Sequence, residues 1–404
     1  MSSAAAICAN EPIVSKRNDS IDLLRGSIMV IMALDHAREF FGVPGLPENL
    51  AHQSFALFFT RWITHFCAPL FLLLAGTGAY FSASRGRPTS TVSAFLLKRG
   101  FWLVFVEITI VDFAFTFQFS PFAGVIWVIG WSMICLAALV WLPPKWVGII
   151  GVAICVSHNL LDNFQPTHFK LLWAFLHKPG FIPISENFGW MSLYVLIPWV
   201  GVMAAGYGLG AILKQSDLAR RRRFLLTTGA VMIAAFILLR WTGVYGQPPA
   251  SAAMMPFTAG PYVHQPTALM TLASFLNVNK YPPSLDYLLM TIGPGLILLG
   301  LFERVNARAG FSKIIVIFGR VPFFYYVLHL LLLHVMAYFA ALAAHQPTHA
   351  LLHGGIFTRS DPGYGHSLAF GYAMWLLCVV MLYWPCKWFA AVRERRKDWW
   401  LRYL

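Results

Sequence analysis

The sequence predicts an all-α membrane protein: a polytopic bundle of about ten transmembrane helices with both termini in the cytoplasm. Three observations carry that prediction. Of the 404 residues, 58% are hydrophobic and only 11% are charged, where a soluble domain has about 25% charged residues. Apolar stretches long enough to cross a bilayer recur along the whole chain. Lys and Arg concentrate in alternate connecting segments, as cytoplasmic loops require. The net charge of +14 would suggest nucleic acid in a soluble protein; here loop bias accounts for it, and no nucleic-acid partner is expected.

Residues 1–20 read as a cytoplasmic tail. Glu11, Lys16, Arg17 and Asp19 make this region too polar for a cleavable signal, so the first apolar stretch is a retained anchor. Spans are predicted at 21–41, 56–82, 100–119, 123–142, 146–161, 190–213, 224–243, 286–303, 314–342 and 368–391, all within a membrane domain of residues 21–391. Ser120-Pro121 turns the chain between the third and fourth. The inner segments then hold twenty-one of the thirty Lys and Arg, while the outer loops hold only Arg38, Lys170, Lys178, Lys280 and Arg359. Two outer loops, 162–189 and 244–285, have the length of lids or binding elements. The basic tail, 392–404, ends in DWWLRYL, which suits the inner membrane interface. None of the six cysteines forms a CxxC or CxxH pair, so they read as small buried hydrophobes, and no metal is expected.

Ionisable residues inside spans are costly and mark function. The first span, SIDLLRGSIMVIMALDHAREFF, carries Asp22 and Arg25 near its start and Asp35 and His36 near its end. Eleven residues separate Arg25 from His36, which puts them about 20° apart on one helix face and about 16 Å apart along it. Arg25 and Arg320 fall in the inner half of the membrane, where guanidinium forks can hold phosphate. His36, His65, Asp112 and His334 fall in the outer half, and histidine and aspartate suit proton transfer near neutral pH. Arg61 stands one helical turn before His65. Asp35 and His36 are adjacent and so point apart on a helix, which makes Asp112, from another span, the better orienting partner for an imidazole. His345, His349, His353 and His366 flank the last outer loop without a recognisable metal spacing.

The opening RNDSIDLLRGSIMVIMALDH, together with TRWITHFCAPLFLLLAG, resembles the catalytic domain of the heparan-alpha-glucosaminide N-acetyltransferase family, in its bacterial branch. NKYPPSLDYLLMTIGPGLILL and GRVPFFYYVLHLLLLH carry the same likeness. The resemblance implies an inner-membrane enzyme that takes an acetyl or other acyl group from cytosolic acyl-CoA. It would deliver that group to a sugar amine or hydroxyl on the periplasmic side. The wider transmembrane acyltransferases place a histidine at the end of the first helix, which maps to His36. The lysosomal enzyme carries its histidine in the following loop, where His52 is nearest, but without that enzyme's Trp-Asn-Gly context here.

The expectation is therefore a catalytic group of His36, Asp35, His65, Asp112 and His52, with Arg25, Arg320 and Arg61 on the CoA and His329 and Lys280 on the acceptor. The expected partners are acyl-CoA, a glycan or small-molecule acceptor and membrane lipid, with a homodimer left open. A proton-coupled exporter built on the same polar residues is the alternative. A haem protein with His65 and His329 as axial ligands is a more distant one.

Overall fold

The computed structural model describes residues 19–45, 47–51, 53–119, 122–185, 188–215, 217–247, 259–306, 309–354, 362–396 and 398–403. The chain folds as the helical membrane bundle the sequence predicts. In order run α1 (Asp19–Phe40), α2 (Phe55–Thr64), α3 (Cys67–Ala83), α4 (Thr89–Val106), α5 (Asp112–Thr116), α6 (Val125–Leu139), α7 (Pro144–Ser157), α8 (Lys170–Leu176), α9 (Leu196–Gln215) and α10 (Leu218–Thr242). Then follow α11 (Ala268–Leu276), α12 (Leu285–Phe302), α13 (Gly310–Arg320), α14 (Pro322–Ala343), α15 (His349–His353) and α16 (Leu368–Arg395). Among the described residues, seven helical segments are long and apolar enough to cross a membrane, α2–α3 counting as one. The other three predicted spans are helical too. They are the charged α1, α4–α5 with a π-helical turn at Glu107–Val111 between its two parts, and the 15-residue α6.

Three predicted spans differ in detail. The chain breaks at His65–Phe66, so the second span is two helices. The span expected at 190–213 starts as a strand and becomes helical only at Leu196. Its first residues belong to a small sheet of β1 (Phe122–Ala123), β2 (Gly180–Ser185) and β3 (Phe188–Ser192), in which β3 pairs parallel with β1 and antiparallel with β2. The span expected at 314–342 divides at Val321, because Pro322 has no N–H to continue α13 and instead starts α14.

Lipid tails are as apolar as leucine, so helices in a bilayer associate by close packing across small residues. Glycines supply that closeness here. A Cβ on Gly26 would lie 2.0 Å from the Ile315 carbonyl oxygen, and one on Gly319 would lie 1.8 Å from that of Asp22, so α1 and α13 touch backbone to backbone. Gly100 faces Gly130 between α4 and α6, Gly151 faces Gly201 between α7 and α9, and Gly229 faces Gly293 between α10 and α12. Hydroxyls add ties: Thr77 Oγ1 donates to the Gly206 carbonyl at 2.9 Å, and Ser93 Oγ to that of Ala137 at 2.7 Å.

Polar contacts gather the helix termini at two ends. At one end, Ser20 reaches Glu303 at 3.3 Å, Arg221 Nε reaches Glu303 at 2.9 Å, Lys214 donates to the Ser84 carbonyl at 2.6 Å, and Arg320 pairs with Glu394 at 2.8 Å. At the other, Tyr287 donates to the His65 carbonyl at 2.8 Å and Leu285 N–H to Asn159 Oδ1 at 2.9 Å. The in-span Arg240 is structural: its guanidinium donates to the carbonyls of Phe275, Ser274 and Asn277 at 2.8–3.0 Å, closing the C-terminus of α11.

Candidate functional site

The face of α1 singled out by the sequence lies against two cavities stacked end to end. The first, of about 240 Å³, is lined by Asp35, His36, Arg38 and Glu39 of α1, Arg61 of α2, Ala68 and Phe71 of α3, and Glu48 and Lys280 from loops. The second, of about 400 Å³, is lined by Arg25 and Met29 of α1, Ala75 and Gly78 of α3, Arg99 of α4, Arg320 and Arg393. Chain direction fixes their order. Along α1 the arginine cavity precedes the histidine cavity; along the oppositely running α3 the sequence of contacts reverses.

In the histidine cavity, His36 is 15% exposed, and its Nδ1 lies 4.0 Å from Glu39 Oε2 without a hydrogen bond among the described residues. Its ring packs edge-on against Phe115 and lies 5.1 Å from the His329 ring, centroid to centroid. His329 is fully buried and its Nδ1 lies 3.1 Å from the Tyr325 carbonyl. Donation there leaves Nε2 an acceptor, and that atom has no partner among the described residues. Two imidazoles therefore sit together, one facing the cavity and one behind it. Tyr194, in the loop before α9, also lines the wall, and burial holds its hydroxyl well above the ordinary value, so it stays neutral.

Asp35 has a different part. One carboxylate oxygen pairs with Arg61 and the other with Arg38 at 3.3 Å, while Arg61 Nε also donates to Glu48 at 3.2 Å. This network ties α1 to α2 and to the loop between them. Arg61, expected on the CoA, stands in the histidine cavity with two carboxylates as partners, apart from the arginines of the other cavity. Arg25 and Arg320, predicted together, are brought together there. Arg25 pairs with Asp22 at 3.1 Å and donates to the Gly319 carbonyl at 3.2 Å, and Arg393 donates to the Arg320 carbonyl at 2.6 Å.

Two further predicted residues stand outside the cavity lining. His65 caps the C-terminus of α2 in a helical conformation, one turn after Arg61, and its ring packs 5.5 Å from Tyr287. Asp112 does not orient His36: its Oδ2 accepts the Phe122 N–H at 3.2 Å, which fixes a residue of the cavity wall at the end of the π-helical turn. Its neighbour Glu107 is directed at the N-terminus of α6, facing the N–H groups of Gly124, Ile126 and Trp127, and a Cβ on Gly124 would lie 2.0 Å from its Oε1. Buried His334 bridges two carbonyls, of Ala114 at 3.0 Å and Leu351 at 2.8 Å, as a connection between helices. Lys280 is 8% exposed and lines the histidine cavity. His52 lies outside the described residues. Among the described residues, no three His, Cys, Asp or Glu side chains converge in a way that could hold a metal ion.

Sequence reasoning missed Glu39, Glu48, Arg99 and Arg393. Glu39 had a usable signal, since it follows His36 by three residues and so shares its face. Arg99 and Arg393 read only as topology anchors, and nothing local shows that α4 and α16 converge with α1.

With the geometry in place, comparison with known proteins gives one family. Its model, described as "Heparan-alpha-glucosaminide N-acetyltransferase, catalytic", matches residues 17–245, more than half of the chain. The match contains α1 through α10, and with them Arg25, Asp35, His36, Arg61 and Arg99. No curated protein matches the chain.

Proposed function

We propose, because the chain belongs to the heparan-alpha-glucosaminide N-acetyltransferase catalytic family of membrane acetyltransferase-like proteins, that it moves an acetyl group from acetyl-CoA in the arginine cavity to an acceptor in the histidine cavity. The observation that carries this reading is the end-to-end order of the two cavities along α1, α3 and α14. Arg25, Arg99, Arg320 and Arg393 would meet the phosphates of the nucleotide end. His36 would take the proton from an amine or hydroxyl of the acceptor. The freed nitrogen or oxygen attacks the thioester carbonyl, the C–S bond breaks, the acyl group remains on the acceptor, and the CoA thiolate takes up a proton. His329 acts through His36 as a positioning residue, and Lys280 binds the acceptor. Asp35, Arg61, Asp112 and His65 hold the walls in place. His52, in the loop beside this cavity in sequence, remains the alternative general base.

The loop bias in Lys and Arg turns the arginine cavity towards the cytosol. In a bacterial inner membrane, the acceptor, a glycan or a smaller amino sugar, would then arrive from the periplasm. The test is release of free CoA thiol from acetyl-CoA by the purified protein in nanodiscs, with glucosamine added as acceptor. We expect turnover that depends on both substrates. The absence of thiol release and of acetylated glucosamine would reject the donor and acceptor together, and thiol release without acetylated product would reject the acceptor alone.

A further inference from the structure

Phe71 of α3, Val125 at the start of α6 and Tyr326 of α14 line both cavities. Among the described residues no other belongs to both linings, so these three side chains form the wall between them. We propose that this wall sets the length of acyl chain the protein accepts, and that Phe71 is its chief determinant, restricting the donor to short acyl groups. The inference rests on the acyl-CoA reading above and goes beyond it.

Two features carry it. The first is what lies beyond the wall. A donor held by its phosphates at the arginines brings its thioester to the three side chains, and the acyl group projects past them into the histidine cavity. That cavity is small, about 240 Å³, and its lining includes the ionised groups of Asp35, Arg38, Glu48 and Arg61. An alkyl chain of more than a few carbons would press against those groups and strip their hydration without giving them a partner. The second is the shape of α3. Positions 68, 71, 75 and 78 follow one helix face at spacings of three and four. Ala68 opens on the histidine cavity, Leu74, Ala75 and Gly78 line the arginine cavity, and Phe71 is the one described α3 side chain that lines both. Phe71 thus fills what would otherwise be an apolar groove, along which a longer chain could lie back against the helix. Tyr326, 5% exposed and with its ring 5.5 Å from that of His329, closes the opposite side.

The experiment compares kcat/KM for acetyl-CoA and octanoyl-CoA by thiol release, in wild type, Phe71→Ala and Val125→Leu. Each methylene accommodated or refused in an apolar pocket is worth about 10- to 200-fold in selectivity. The acetyl-to-octanoyl ratio should therefore fall at least about tenfold in Phe71→Ala and rise in Val125→Leu, which narrows the wall and so reports even if the alanine variant fails to fold. A ratio within about twofold of wild type in every variant that folds overturns the role of the wall. A wild type that releases thiol from neither donor rejects the acyltransferase reading itself, and the wall's role with it.

Discussion

Removing the His36 imidazole should separate chemistry from folding. Its Nδ1 makes no hydrogen bond among the described residues, and ring contacts with Phe115 and His329 hold it. General-base catalysis by a positioned histidine is worth about 100- to 10,000-fold. His36→Ala should lower kcat for acetyl transfer by that range while shifting stability by about 1 kcal/mol, as read from thiol release and thermal unfolding of one preparation. Near-normal kcat would move the role to His52. Asp35 should behave in the opposite way. Losing its carboxylate leaves the guanidiniums of Arg38 and Arg61 facing each other, and breaking a buried pair costs about 3–5 kcal/mol. A double-mutant cycle of Asp35→Asn with Arg61→Gln should show a coupling of about 2 kcal/mol in stability; additive effects would remove the network. At this scale the sequence was legible where one helix carries both groups, as α1 does with Arg25, Asp35 and His36. It was silent where a side chain answers to a distant element: Asp112 accepts from the N–H of Phe122 in β1, which no spacing around Asp112 indicates.

Between elements, the closest approach described is that of α1 and α13, where Gly319 leaves no room for a methyl group. Gly319→Ala should cost about 1–3 kcal/mol through overpacking. It should also raise KM for acetyl-CoA, because the displaced α13 carries Arg320 away from Arg25. Gly78→Ala is the control for stability, since nothing lies within 4 Å of its added methyl and alanine favours a helix by up to about 1 kcal/mol. Equal unfolding temperatures for the two variants would show that the α1–α13 contact tolerates separation. The apolar runs announced where helices occur, but not how they are subdivided. Pro322 was visible in the sequence and could have ended α13; the run of apolar residues on either side of it concealed the stop. The β1–β3–β2 sheet joins residues some seventy positions apart, and no local pattern near Phe122 specifies its pairing with Met191.

For the whole molecule, the sidedness read from Lys and Arg makes a simple prediction. A cysteine at Asn306, after α12, should react with a membrane-impermeant maleimide only from the cytosolic side. One at exposed Phe169 should react only from the other. Labelling of both from one side would invert or refute the topology. Composition alone was enough to predict a helical membrane bundle, because a bilayer admits few alternatives for an apolar chain whose backbone must pair internally. The meeting of the two cavities was not legible, since it depends on how α3, α6 and α14 pack around α1 and each contributes one side chain. Those three uncharged side chains have an electrical consequence. Ionised groups line the spaces on both sides of them, so with water filling those spaces the drop in membrane voltage would fall largely across the thin apolar layer of Phe71, Val125 and Tyr326. An ion crossing it would work against about 2.3 kcal/mol per charge for every 100 mV, whereas an uncharged acyl group would not. Liposomes carrying the protein should therefore hold a potassium diffusion potential as well as protein-free ones do.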